Sequence, residues 1–159
     1  MAHHYLTLKE VNVKRSMVLP LFALIILSIA CSFTFDLGRP GNYEIVTVEA
    51  AEGWTNTEII VGAGDILSIE YISGMWSPWP GGAYDAIGSG GDPNCRCNVM
   101  DAVSHAALIG RIGDNPPFLV GESYRHRIGE TGQLLLGIND IDLYDNSGSI
   151  EVEVTVIRD

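Results

Sequence analysis

Lysine is missing from everything that follows Lys14. Past Cys31 the basic residues are six arginines, set against nineteen Asp and Glu. A surface that acidic repels phosphate backbones, which excludes nucleic-acid binding as a main role and makes a cation the more natural partner. Charge is sparse overall, at 18% of residues, while 47% are hydrophobic, and that balance excludes a disordered chain. Cysteine occurs only at positions 31, 95 and 97, too few for a disulfide scaffold. No second Cys or His pair stands at zinc spacing near Cys95-Arg96-Cys97. Outside the first 35 residues no segment carries a helical apolar stripe, and no repeat of about 20 to 50 residues recurs. Eighteen glycines and seven prolines complete the picture of a turn-rich chain that is mostly β.

With 159 residues there is room for about one domain. Its head reads as an export segment. From Met17 to Phe35 nineteen residues carry no charge, with Lys14-Arg15 before them and Asp36 after. Three readings compete. Met17 to Ala30 fits a cleaved secretory signal with a basic n-region and a small residue at the cut. Ser28-Ile29-Ala30-Cys31 resembles a lipoprotein box, which makes Cys31 a lipidation site. The run is also long enough for an uncleaved anchor. Each reading exports the remainder, because the positive flank stays inside, so membrane association is expected through this segment only. The organisation expected is 1–35 for the export segment, 36–42 for a linker, and 43–159 for the working domain.

In that domain apolar and polar residues alternate along 43–49, 57–61, 65–72, 106–112, 124–128, 133–138 and 148–156. Period-two runs broken by Gly and Asn turns predict an all-β, antiparallel two-sheet sandwich. The final run is the clearest, with Ile150, Val152, Val154 and Val156 on one face and Glu151, Glu153 and Thr155 on the other. Two stretches refuse the pattern and are where function is sought: a long loop, 74–105, and an acidic loop, 139–148. The Cys95-Arg96-Cys97 pair within the first leaves a bridge, two free thiols and a metal pair all open, since a bond across one residue lies at the limit of disulfide geometry.

The acidic loop sets Asp140, Asp142, Asp145 and Asn146 within seven residues. Crowded carboxylates repel one another, and a cation offsets the repulsion. Calcium suits them because it accepts six to eight hard oxygens in a flexible shell. An EF-hand is excluded, since neither the required Gly nor the distant Glu is present. The plain alternative is that Asp-Asn-Ser-Gly simply builds a hairpin turn.

Ile138-Asn-Asp140 with Asp145-Asn-Ser-Gly148, Gly64-Asp65-Ile-Leu-Ser-Ile69 leading to Gly74-Met-Trp76, and Ala107-Leu-Ile-Gly-Arg-Ile-Gly113 occur in that family's order, so the chain from about Tyr43 onward resembles the PA-IL-like (LecA-type) calcium-dependent galactose-binding lectins. The resemblance implies a jelly-roll-like sandwich and one Ca2+, held by side chains of Asp140, Asp145 and Asn146, by the Trp79 carbonyl, and by the carbonyl of Asp142 or Leu143. It also implies a galactose-type glycan as partner, with two sugar hydroxyls on the calcium and hydrogen bonds to its ligands; the residues expected to meet the sugar are Asp140 and Asn146 there, Trp79 by stacking, and Asp92 in the long loop. Oligomers of identical chains are common in that family. The chain departs from the pattern in the long loop: the family's His-Pro and Gln sugar contacts have no counterparts, and Met100 and His105 fall where its loop cysteines stand. Asp85, Asp92, Asn94 and Asp101 are candidates to reach the outer hydroxyls instead.

Other residues have plainer expectations. Trp76, at a strand end, is expected in the core, and Trp79 either there or stacked on a sugar. Asp101, Ser104 and His105 lie too close in sequence, with no Gly-x-Ser-x-Gly elbow, to suggest a catalytic triad. No enzyme is expected. A structural or adhesive envelope module that keeps a stabilising calcium but binds no sugar is the alternative function.

Overall fold

The computed structural model describes residues 43–91 and 95–158. The export segment, Cys31, Asp92 and Asn94 lie outside the described residues. Eight strands follow one another: β1 (Tyr43–Glu49), β2 (Thr55–Val61), β3 (Ile66–Ser77), β4 (Leu108–Ile112), β5 (Phe118–Leu119), β6 (Ser123–Arg127), β7 (Gly132–Ile138) and β8 (Ser147–Ile157). They form two four-stranded antiparallel sheets, ordered β1-β8-β3-β6 and β2-β7-β4-β5, the strand order of a jelly roll. No helix occurs among the described residues.

The period-two pattern explains why the sheets stack. Each strand turns alternate side chains inward, so Val46 and Val48, Leu67 and Ile69, and Ile150, Val152 and Val154 from one sheet meet Ile59 and Val61, Leu108 and Ile112, and Leu134, Leu136 and Ile138 from the other. Fully burying one such aliphatic side chain contributes roughly 1.5–3 kcal/mol, so this two-sided layer is what holds the sandwich closed.

Most strand ends lie within two residues of the sequence reading, and three differences have a clear physical reason. β3 does not end at Ile72 but continues to Ser77, pairing Gly74 with Ile150, Met75 with Ser149 and Trp76 with Gly148. Its alternation is broken by a register irregularity between Tyr71 and Ser73, which shifts the inward set and hides the continuation from a period-two count. β4 begins at Leu108, because Ala106 adopts a left-handed backbone (φ 61°) that ends the extended run. β5 is two residues long, too short to show any period, and has no counterpart in the expected strands.

Antiparallel order sends successive strands from one end of the sandwich to the other. The connections β1–β2, β3–β4, β5–β6 and β7–β8 therefore share one end, and both irregular stretches are gathered there. Two contacts join the β1–β2 connection to the acidic loop there: the Ala50 N–H donates to Gly148 O at 3.0 Å, and Asn146 Nδ2 donates to Ala50 O at 3.2 Å.

Candidate functional site

Asn139, which is fully buried, joins the acidic loop to the long loop. Its Oδ1 accepts the Met100 N–H at 2.7 Å, and its Nδ2 donates toward the carbonyls of Met100, Val103 and Ser104 at 3.1–3.2 Å. Its backbone exchanges hydrogen bonds with Ala106 and Ala107, and the Ile141 N–H donates to Cys97 O at 2.9 Å. A buried amide satisfied on every side holds its surroundings rigidly. The two loops thus form one surface, with 139–146 anchored on 97–107.

On that surface Asp140 is 4% exposed. Its Oδ1 accepts the Asp142 N–H at 2.9 Å, and its Oδ2 lies 3.8 Å from His105 Nε2. One amide is thin compensation for a carboxylate taken out of water. Asn146, 8% exposed, spends its Nδ2 on Ala50, but its Oδ1 is buried with no hydrogen-bond donor. An orphaned acceptor of that kind costs about 1–3 kcal/mol unless something else meets it. The half-buried Asp145 carboxylate takes no hydrogen bond from the described residues. These hard oxygens fit a cation of the calcium type.

The other expected ligands are differently placed. Trp79 O already accepts the Ser77 hydroxyl and the Gly82 N–H at 3.1 Å, so both its lone pairs are engaged. Leu143 turns its side chain into the edge of the core, and its carbonyl accepts the Asn146 N–H at 3.4 Å. Asp142 is exposed, its Oδ1 accepting the Tyr144 N–H at 3.3 Å. The three aspartates therefore do not converge as their spacing suggests. Asp142 closes a local turn, because a short Asp side chain readily bonds an amide two residues on. Among the described residues, the three ligand atoms of His, Cys, Asp or Glu that do gather within 4.8 Å belong to Cys95, Cys97 and His105.

Cys95 and Cys97 are joined in a disulfide. Cys97 Sγ lies 3.4 Å from His105 Nδ1, which also meets Asn98 Oδ1 at 2.9 Å. Trp79, 38% exposed, stacks on the His105 ring at 5.5 Å and 4° and meets Tyr84 edge-on at 5.4 Å. Trp79, Ser89, Gly91, Cys95, Cys97 and His105 line a cavity of about 290 Å³. Beside it the acidic loop exposes Ile141 and lifts Tyr144 to 97% exposure. A larger cavity of about 360 Å³ is lined by Glu44, Glu58, Ile59, Ile60, Val154, Val156 and Arg158, none of them a residue that the sequence singles out for the site.

Trp76 is in the core as expected, 1% exposed, with its indole N–H donating to Ala106 O at 2.9 Å. Asp101, Ser104 and His105 do not assemble a catalytic relay among the described residues: Ser104 Oγ accepts the Gly90 N–H, and His105 turns to Asn98, Cys97 and Asp140. Asp85 caps its own turn through the Ile87 N–H. Sequence reasoning missed His105 as the centre of the site, because nothing local marks a lone histidine whose partners lie at 79, 97 and 140. Tyr144 was missed as well; its only signal is an aromatic residue set among loop aspartates.

No protein-family model matches this chain, and no curated protein does. Among solved structures the chain is similar to one described as an EclA N-terminal domain, PllA-like lectin, at 24% identity and a TM-score of 0.57, over 70% of this chain and 94% of that one. The likeness supports the fold, an antiparallel two-sheet β-sandwich.

Proposed function

We propose that this chain is a carbohydrate-binding module that takes up a glycan through a calcium ion held in loop 139–146. The observation that carries the reading is the pair of buried, under-satisfied oxygens in that loop, the Asp140 carboxylate and Asn146 Oδ1. The lectin named in the comparison supports the same class of ligand, and the ordered motifs point to galactose-type sugars. Asp140, Asp145 and Asn146 would hold the metal. Bound calcium supplies open positions that two neighbouring sugar hydroxyls can fill.

The chain's own residues supply the rest. Carboxylate oxygens of Asp140 and Asp145 not used on the metal accept hydroxyl protons, a charge-assisted and therefore strong kind of hydrogen bond. The exposed Tyr144 ring offers an apolar face to the C–H side of a sugar. Trp79, pinned flat on His105, walls the cavity alongside. An exported, membrane-tethered location fits the Cys95–Cys97 disulfide, since such bonds persist in oxidising compartments.

Isothermal titration of the purified chain against a glycan panel, with Ca2+ and with chelator, tests the reading. Heat with galactosides that chelator abolishes is expected; glycan heat indifferent to chelator rejects the mechanism. The missing counterparts of the His-Pro and Gln sugar contacts favour a second reading, an adhesive or structural module in which calcium only staples the loop. That module would melt higher with Ca2+ while no glycan raised the midpoint further.

A further inference from the structure

The disulfide, not the acidic loop, sits at the tightest gathering of ligand atoms among the described residues. Both cysteines line the 290 Å³ cavity and both are only half-buried, so a small thiol can reach the bond. A bridge across a single residue closes almost no chain, and the stabilisation from a disulfide grows with the length of loop it closes, so this one contributes little. The fold therefore does not depend on this bond. Asn139 holds 100–104 and the Ile141 N–H holds Cys97 O without it.

We propose that the reduced form of this pair, together with His105, is a binding site for a thiophilic cation of the zinc class. Two equivalents of a small thiol open the bridge: two S–H bonds form on the protein and one S–S bond joins the thiols. A divalent ion then takes the two sulfurs as thiolates, releasing their protons to solvent. With its proton on Nε2, the imidazole binds the ion through Nδ1, which faces Cys97 Sγ at 3.4 Å and in doing so releases Asn98 Oδ1, 2.9 Å away in the oxidised form.

Two features of the surroundings favour that set. Soft thiolates select zinc-class ions over calcium and magnesium. Asp140 Oδ2, 3.8 Å from Nε2, comes within reach of the Nε2 proton after a small shift of the ring toward it, which gives the carboxylate–histidine arrangement that orients metal-binding histidines elsewhere. Trp79 fixes the ring plane from one side. Three protein ligands leave a fourth tetrahedral position, which opens on the cavity. The site needs no calcium in the acidic loop and does not rest on the carbohydrate reading, although Asp140 serves in both.

The test uses the full chain carrying Cys31→Ser, reduced with a phosphine that is then removed, and Co2+ as a spectroscopic probe. Reduced protein is expected to show sulfur-to-cobalt charge-transfer absorption that titrates at one ion per chain and is displaced by Zn2+. The oxidised protein should show none. Cys95→Ser and Cys97→Ser should each weaken Zn2+ binding at least about tenfold, while Asp145→Ala leaves the cobalt band unchanged. Thermal melting of the reduced, metal-free protein confirms that it stays folded. Absence of the band in folded, reduced protein overturns the proposal, as does a band of equal strength in Cys97→Ser. Because the readout is sulfur-specific, failure here is distinct from failure of calcium or glycan binding.

Discussion

At the scale of single residues, the site rests on groups that the fold leaves unpaid in hydrogen bonds. Asp140→Asn keeps an oxygen for the Asp142 N–H but removes the charge. The expected result is a melting temperature little changed in chelator, with loss of the rise that Ca2+ gives the native chain; calorimetric scans with and without Ca2+ check it. Gly148 has a different necessity. Its φ is +80°, and a Cβ there would stand 2.6 Å from Met75 O. Gly148→Ala should therefore cost upwards of about 1–2 kcal/mol, read as a lower urea midpoint with an unchanged slope. Tyr124, stacked with Phe118 at 4.5 Å, has its phenol pushed above the ordinary tyrosine value by burial. Its proton is held more tightly in the fold than in the unfolded chain, so its contribution is complete below pH 10.0 and falls away as pH climbs through the raised value. Tyr124→Phe should flatten the alkaline loss of stability above about pH 10, measured by urea unfolding across that range.

Among elements, β3 and β8 matter most to the site. Their pairing runs from Ile66–Ile157 to Ser77–Ser147, so β3 delivers Trp76 beneath the long loop while β8 begins where the acidic loop ends. Trp76 ties the two together through Ala106 O, next to the histidine at the centre of the site. Trp76→Phe keeps most of the packing but drops that hydrogen bond. A loss of roughly 1–3 kcal/mol is expected, and hydrogen exchange should show the long loop loosened more than β1. β2 carries a comparable irregularity. Between Asn56 and Ile60 the register shifts, Glu58 takes a φ of 62°, and Thr57 Oγ1 donates to Leu134 O at 2.8 Å, replacing a ladder bond the bulge breaks.

For the molecule as a whole, net charge sets the background. At −11 the chain repels itself, and any added salt relieves part of that repulsion. A real calcium site must do more than screen. The expected outcome is a melting temperature that rises further with Ca2+ than with Mg2+ at equal ionic strength, approaching about 2.7 kcal/mol of added stability at a hundred times the dissociation constant. Equal responses to the two ions would reduce the effect to screening.

The sandwich was legible in the sequence because period-two alternation is a local signal: β1 and β8 announce which face is buried with no reference to their partners. The acidic loop was legible for the same reason, as a cluster of neighbours in the chain. What lay beyond reach was everything that depends on one segment meeting another. Only the folded chain decided that Asn139 is consumed in joining two loops, that Asp142 closes a turn while Asp140 and Asn146 are left with unmatched oxygens, and that His105 comes to stand between a disulfide and a buried carboxylate. Alternation determines which way a side chain faces. Convergence is fixed by the strand order that carries residues 79, 97, 105 and 140 to one end of the sandwich, and no periodicity encodes it.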